Sequence, residues 1–219
     1  MKPRGILTGW RAAAAGAAAG YALGAVSFSK AVGERFAPGE DISVSHIEVP
    51  ETGSTIEFRG ITPTSVREHA GTPAMVAAIA LEAAKALVPT LAARRLLPGT
   101  AAAPAAAAGS VLGHVVPVWS GGKGGYGASP MLGGLLVLDP LGFLVTNAAV
   151  SAAMAVTRDR RLVMIWPLTV PIWAAVRRRR DVLAFSLAAN AIMWTRLVPE
   201  LRSSMRGLMV PAEGSPDAS

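Results

Sequence analysis

Long apolar stretches, separated by short polar or basic segments, make up most of this chain. The pattern predicts six helices, over residues 6–32, 72–97, 101–119, 130–156, 162–176 and 181–198. A basic start to the first stretch raises the alternative of a signal peptide, but its length fits a full membrane span of about 20 residues. The pattern therefore predicts an all-α, polytopic integral membrane helix bundle with about six to seven transmembrane helices.

One polar, acidic and turn-rich segment, residues 33–71, interrupts the apolar pattern. Short β-type patterns at Ile42–Val49 and Thr55–Phe58 flank the turn-like residues 51–54. We expect a small β-hairpin-like extramembrane insertion here. Residues 1–202 are interpreted as a single membrane-embedded domain, and residues 203–219, which contain Gly, Ser, Pro and Asp, as a disordered tail.

Composition supports a membrane protein. Hydrophobic residues make up 52% of the chain and charged residues only 16%, whereas soluble domains carry about 25% charged residues. The net charge of +7 is typical of a membrane protein that meets anionic lipid or phosphate. No nucleic-acid partner is expected, because the basic residues lie between apolar runs and not on one polar face. The absence of cysteine excludes a thiolate nucleophile and a zinc–thiolate site.

A glycine-rich stretch, residues 113–125, carries the strongest chemical signal. An apolar helix ends there at His114 and Pro117, and four glycines then surround Lys123. Glycine lets backbone N–H groups point at an anion, and the lysine adds a positive charge. A nucleotide P-loop is excluded because Gly124, and not Ser or Thr, follows Lys123. The alternative is a flexible turn with a solvated lysine.

Other polar residues within or beside the apolar runs are weaker candidates. Glu82 and Lys85 lie three residues apart, so they form either an internal ion pair or the wall of a polar cavity. Four residues of one hydroxyl-rich segment can bind phosphate through guanidinium and hydroxyl groups, although exposed arginines are usually only solvated. These four residues are Arg59, Thr64, Ser65 and Arg67. No metal site or cofactor is expected.

The predicted helices also assign the polar segments to two sides of the membrane. With six spans, the 33–71 segment, the glycine–lysine loop and Arg177–Arg180 share one side. The basic residues divide almost equally between the two sides, so their number does not decide the orientation. Only the block of four arginines, interpreted as a lipid-headgroup anchor, favours a cytoplasmic active face.

Four segments in this order resemble the bacterial membrane family of acyl-phosphate:glycerol-3-phosphate acyltransferases. The segments are Gly24–Phe28, Gly60–Arg67, Glu82–Ala86 and Gly113–Gly124. The last contains Gly-His-x-x-Pro followed by Gly-Gly-Lys-Gly, which is the most specific part of the resemblance. The chain is a divergent example, because its second segment begins Gly-Ile-Thr-Pro-Thr-Ser and residues 33–58 form an insertion.

The resemblance implies transfer of a fatty acyl group from acyl phosphate to the 1-hydroxyl of glycerol 3-phosphate, giving lysophosphatidate for phospholipid synthesis. It implies catalytic roles for His114, Lys123 and Lys85. It implies phosphate binding by Arg59, Thr64, Ser65, Arg67, Gly121, Gly122 and Gly124. The expected partners are acyl phosphate, glycerol 3-phosphate and the lipids of the cell membrane, with the active face in the cytoplasm. The alternative function is a non-catalytic transporter or lipid-binding protein with a basic phosphate cavity.

Overall fold

The computed structural model describes residues 5–49, 54–121 and 124–209, and most of these residues lie in α-helices. They are α1 (Gly5–Gly24), α2 (Phe28–Phe36), α3 (Pro63–Leu96), α4 (Ala102–Val115), α5 (Ala128–Leu138), α6 (Pro140–Thr157), α7 (Trp166–Val176) and α8 (Arg180–Met209). Short 3₁₀ turns cover Val118–Ser120 and Arg160–Ile165, and two strands, β1 (Val44–Val49) and β2 (Ser54–Arg59), complete the described fold.

The predicted membrane bundle is confirmed. Within the described residues, four helical segments are long and apolar enough to cross a membrane: Gly9–Phe36, Pro63–Leu96, Pro140–Thr157 and Arg180–Pro199. The shorter apolar helices α5 and α7 lie among them and contribute buried residues to the same core. The fold is therefore an all-α integral membrane bundle.

Helices α1 and α4 pack against each other through small residues. The backbones of the two helices lie so close together that no side chain fits between them at these positions. A β-carbon on Gly16, Gly20 or Gly24 would collide with a backbone carbonyl oxygen of α4. The contacts pair Gly16 with Ala102, Gly20 with Ala106 and Gly24 with Ser110. Since the residue numbers of α1 and α4 increase in the same direction along these contacts, the two helices run parallel. Such stripes of small residues favour the association of membrane helices through close packing. Burial of apolar side chains does not favour it, because the lipid tails are equally apolar.

Gly20→Ala is expected to destabilise the protein by about 1–3 kcal/mol, because the added methyl group overpacks a backbone contact that cannot move independently. Gly9→Ala is the matched control. A β-carbon there meets nothing within 4 Å, so the change is expected to be neutral or slightly stabilising. Thermal unfolding in detergent compares the two variants. Equal midpoints for both would contradict this description of the α1–α4 interface.

Two predicted helices are each divided in two. The predicted helix over 6–32 breaks between Gly24 and Phe28, and the predicted helix over 130–156 breaks at Asp139. There, an Asp139 oxygen accepts a hydrogen bond from Gly142 N at 3.1 Å and so caps α6, and Pro140 has no N–H to continue the helical ladder. The last helix continues to Met209, past the boundary predicted at residue 203, and residues 210–219 lie outside the described residues.

The break at Asp139 changes which segments share an end of the bundle. Helix α5 starts at Gly127, where an added β-carbon would lie 3.2 Å from Met193 of α8. It ends beside Arg179, whose Nη2 donates to Leu138 O at 3.1 Å. Arg179 and Met193 are separated by about 20 Å of helix, at a rise of about 1.5 Å per residue. The block Arg177–Arg180 therefore lies opposite the glycine loop, and the prediction that they share a side was wrong.

The arginine end, defined by Arg94, Arg95 and Arg177–Arg180, is held together by contacts to the last carbonyls of α5. Arg94 donates to Val137 O, next to the Arg179 contact with Leu138 O. The hydrogen bond to the Asp181 carboxylate raises the pKa of Arg179 above its ordinary value. These cations thus satisfy and balance the negative end of a helix dipole.

The predicted β-hairpin is confirmed at the glycine-loop end. Strands β1 and β2 pair antiparallel, with Val44 opposite Arg59 and Val49 opposite Ser54. The hairpin is attached to α3 by His46 N, which donates to Glu68 Oε1 at 2.9 Å. Gly60 N also donates to Ser43 O at 2.7 Å and closes its base.

Candidate functional site

The site begins with the break between α1 and α2, which leaves backbone groups without helical partners. The first N–H groups of any helix lack an acceptor inside that helix. Ser27 caps α2, since its hydroxyl accepts from Lys30 N at 3.3 Å, but Ser29 N is left for another partner. On the other side of the break, the carbonyl of Val26 is also available. The break therefore presents one backbone donor and one backbone acceptor to the interior.

Glu82 and Lys85, three residues apart on α3, meet these two groups. Glu82 Oε1 accepts from Ser29 N at 2.8 Å and from Ser29 Oγ at 3.0 Å. Lys85 Nζ donates to Val26 O at 2.7 Å. The carboxylate thus lies where the α2 dipole favours a negative charge, and the ammonium lies near the end of α1, where a positive charge is favoured. One polar pair on α3 stabilises the break in the first span.

The second carboxylate oxygen of Glu82 joins Lys85 to His114 of α4. Glu82 Oε2 lies 2.5 Å from Lys85 Nζ and 3.1 Å from His114 Nδ1, and Lys85 Nζ lies 2.9 Å from His114 Nδ1. The three residues are 0%, 3% and 6% exposed, respectively. Buried charges of this kind are stable only when paired and hydrogen-bonded. This cluster is called the Glu82 cluster below, and it includes Ser29.

A small cleft, open to solvent, lies beside the Glu82 cluster. It is lined by Gly24–Ser27, Ile61, Lys85, His114, Pro117, Gly124 and Gly125. Both interpretations of the Glu82–Lys85 pair therefore hold, because Lys85 forms an internal ion pair and also lines a polar cleft. Four chain segments distant in sequence, from α1, α3, α4 and the glycine loop, converge here.

The glycine loop packs directly onto His114. A β-carbon on Gly124 would collide with the His114 carbonyl oxygen, and one on Gly125 would collide with His114 Nε2. Gly121 has φ +61°, a left-handed conformation that favours glycine. The loop therefore needs glycine for close approach to the imidazole as well as for exposed N–H groups. The predicted residues Gly122 and Lys123 lie outside the described residues.

The hydroxyl-rich segment reaches the same end of the bundle. A β-carbon on Gly60 would lie 3.0 Å from Gly124 O and 3.7 Å from Arg196 Nη2 of α8. Gly60 has φ +146°, and Ile61, which follows it, lines the cleft. The glycine loop, the start of this segment and α8 are thus in contact.

Three of the predicted phosphate-binding residues of this segment, Thr64, Ser65 and Arg67, are not among the residues that line the cleft. Ser65 Oγ accepts from Thr62 N at 3.0 Å and donates to Thr62 O at 2.8 Å. This reciprocal cap starts α3 and occupies the hydroxyl. Thr64 is half-buried and Arg67 is exposed. The side chain of Arg59 lies outside the described part of the chain.

Two connections of the site were not predicted from the sequence. His114 was not paired with Glu82, whose Oε2 lies 3.1 Å from His114 Nδ1. Ser29 was placed inside the one continuous helix predicted over residues 6–32. Ser27 was the available signal, because serine is a favoured N-cap and here begins α2 inside an apolar run.

The fold and the site define a class of protein: a polytopic membrane bundle whose buried ionic cluster borders an open cleft next to a glycine loop. The model of one membrane-protein family, glycerol-3-phosphate acyltransferase, matches residues 14–207 of this chain. The chain belongs to this family, which confirms the resemblance seen in the sequence.

Individual relatives and solved structures agree with this assignment. A glycerol-3-phosphate acyltransferase of Anaeromyxobacter sp. (strain K) is 36% identical over 145 residues, covering 64% of this chain and 66% of that relative. The aligned part of this chain thus spans just under two thirds of that relative's length. The enzyme of the same name from Methylorubrum populi is 29% identical over 204 residues, covering 92% of this chain and 94% of the relative.

The fold is similar to a crystal structure of PlsY (YgiH), described as an integral membrane glycerol 3-phosphate acyltransferase in its glycerol 3-phosphate form. The TM-score is 0.73 at 22% identity, covering 89% of this chain and 92% of that chain. Its lysophosphatidic acid form gives a TM-score of 0.69. At this identity, the likeness concerns the fold.

Proposed function

We propose that this chain transfers a fatty acyl group from acyl phosphate to the 1-hydroxyl of glycerol 3-phosphate, and that residues 1–202 form the unit that does so. The observation that carries the proposal is the convergence of Lys85, His114 and the glycine loop on one cleft. Membership of the glycerol-3-phosphate acyltransferase family supports the acceptor. The proposed product is lysophosphatidate, and inorganic phosphate leaves.

The reaction needs little covalent help from the protein. An acyl phosphate is already activated, so the acceptor oxygen attacks the acyl carbon directly and the bond from that carbon to the phosphate oxygen breaks. The hydroxyl proton passes to the departing phosphate. The protein's main task is to hold two phosphate-bearing substrates together against their mutual repulsion, which is a matter of positioning and electrostatics.

The residues at the cleft suit that task. We assign phosphate binding to Lys123 and to the N–H groups of Gly121, Gly122 and Gly124, and a supporting role to Lys85 and His114, which line the cleft. Lys85 adds a positive charge whose position is fixed by Glu82 and Val26. Arg59, Thr64 and Arg67 stay a prediction for an outer phosphate contact, since they adjoin the Gly60–Gly124 contact in sequence. Ser65 is left out of this proposal, because it is buried and its hydroxyl caps α3. The acyl chain would lie against the apolar helices, open to membrane lipid.

The assay that tests this function uses purified protein in liposomes with glycerol 3-phosphate and a long-chain acyl phosphate. We expect lysophosphatidate and inorganic phosphate in equal amounts, and no product when Lys123→Ala replaces the wild type. Acyl coenzyme A in place of acyl phosphate should give no product. Binding of glycerol 3-phosphate without turnover would instead support a non-catalytic lipid- or anion-binding protein.

We further propose that the protein lies in the cell membrane with the cleft facing the cytoplasm. Both proposed substrates are charged and do not cross a bilayer unaided, because burial of an ionised group in an apolar medium is very costly. The glycine loop and the hairpin then lie on the cytoplasmic side, and the arginine end lies on the other. The block Arg177–Arg180 therefore does not support this orientation, which rests on the charge of the substrates.

Single cysteines test this orientation, since the chain contains none of its own. Glu40, exposed near the hairpin, and Ala101, exposed before α4, lie at opposite ends of the bundle. In intact cells, a membrane-impermeant maleimide is expected to label Ala101→Cys at once and Glu40→Cys only after permeabilisation. The reverse order of labelling would place the cleft outside the cell.

A further inference from the structure

Ser29 holds one side of the Glu82 carboxylate with two hydrogen bonds. It is fully buried, and both its N–H and its hydroxyl point to the same oxygen, Oε1, at 2.8 and 3.0 Å. No described hydrogen bond joins Ser29 to Lys85 or His114, so Glu82 is the polar link between Ser29 and the cleft.

We propose that Ser29 is a positioning residue for the reaction: by fixing Glu82 Oε1, it sets where Glu82 Oε2 places the Lys85 ammonium and the His114 imidazole. A glutamate side chain rotates about several bonds, and contact with Lys85 alone would allow the carboxylate to turn. Two donors on one oxygen remove that freedom, and hydrogen bonds to an ionised acceptor are strong and directional. The kinetic part of this proposal rests on the acyltransferase function proposed above.

The length of the side chain at position 82 matters to this arrangement. Glu82 reaches across from α3 to the start of α2 with one oxygen, while its other oxygen stays 3.1 Å from His114 Nδ1. An aspartate is one methylene shorter and cannot keep both contacts from the same backbone position. Ser29 and Glu82 should therefore act as one unit, and their substitutions should not be independent.

Kinetics of Ser29→Ala test the proposal. The variant removes the hydroxyl but keeps the backbone N–H donor, so the Glu82–Lys85 pair stays partnered. We expect kcat to fall about tenfold, with KM for glycerol 3-phosphate within about twofold, which is the pattern of a lost contribution to the transition state. The matched control is Ser186→Ala, which removes an equally buried hydroxyl that donates to Leu183 O in α8. It should leave both constants unchanged.

A double-mutant cycle separates positioning from simple packing. In Glu82→Asp the shorter carboxylate would no longer reach Ser29, so Glu82→Asp combined with Ser29→Ala should be no slower than Glu82→Asp alone. The proposal would be overturned if the two substitutions lowered kcat by independent factors that multiply in the double variant. It would also be overturned if Ser29→Ala had the wild-type kcat. If Ser29→Ala lowers thermal stability more than Ser186→Ala does, Ser29→Cys, which is close in size and a weaker donor, takes its place in the cycle.

A spectroscopic measurement does not depend on turnover. The chain has three histidines, and nitrogen-15 NMR of the imidazole rings can follow His114 once His114→Gln identifies its signals. Ser29→Ala should shift the His114 signals and leave those of His46 and His69 in place. Unchanged His114 signals would overturn the positioning role. Shifted signals in a protein whose wild type makes no lysophosphatidate would instead keep the positioning role and reject the acyltransferase function.

Discussion

Replacing Glu82 with alanine is expected to destabilise the protein by about 3–5 kcal/mol, because it leaves a buried ammonium without its counter-charge. Lys85 is only 3% exposed, so water at the neighbouring cleft replaces little of the lost carboxylate. The same substitution strips the acceptor from Ser29 N and Ser29 Oγ. Chemical or thermal unfolding in detergent measures the loss.

Glu68→Ala is the control for this prediction. Glu68 also pairs with a histidine, His46, but their side chains are 23% and 55% exposed. Exposed pairs contribute at most about 1 kcal/mol, so Glu68→Ala should have a small effect on stability. Similar losses for Glu68→Ala and Glu82→Ala would mean that the Glu82 cluster does not hold α1, α2, α3 and α4 together.

His114→Ala is expected to lower kcat about 100-fold or more while leaving the protein folded. His114 is the imidazole on the cleft wall, and its ring supports both Lys85 and the glycine loop at Gly125. Groups that stabilise a charge developing in the transition state typically contribute factors of about 10²–10³. Initial rates of lysophosphatidate formation at saturating substrate measure the effect.

The same assay on His46→Ala gives the comparison, because His46 lies exposed on the hairpin and outside the cleft. It should retain the wild-type kcat. Equal rates for His114→Ala and the wild type would show that the imidazole has only a structural role.

Much of the fold follows from local sequence patterns. The stripe of Gly16, Gly20 and Gly24 at spacing four predicts a tightly packed helix, and the structure gives α4 as its partner. Alternating residues on each side of a turn predict the hairpin, which is observed. These features depend on residues close together in the chain, so the local periodicity of the sequence is enough to predict them.

The helix breaks could not be predicted in the same way. An apolar run stays apolar across Asp139, and only the contacts of its carboxylate with Gly142 N and Trp173 Nε1 show that it ends one helix and starts another. One missed break moved Arg177–Arg180 to the wrong end of the bundle. Topology is sensitive to such errors, because each additional pass reverses the side of everything that follows.

The site was predicted in its parts but not in its connections. Lys85 and His114 were recognised separately, and their 2.9 Å contact joins residues 29 positions apart in sequence. Packing of α3 against α4 creates that contact, and nothing in the local pattern around either residue records it. The role of Ser29 depends on the break before α2, because the break leaves Ser29 N free to donate to Glu82.

The location of bound glycerol 3-phosphate tests the central claim most directly. A structure with this ligand, with the phosphorus atom located by its density, would distinguish the two basic regions of the molecule. We predict phosphorus at the cleft lined by Lys85, His114, Gly124 and Gly125. Phosphorus among Arg94, Arg95 and Arg177–Arg180 at the opposite end, with an empty cleft, would contradict the assignment of this cleft as the site of acyl transfer.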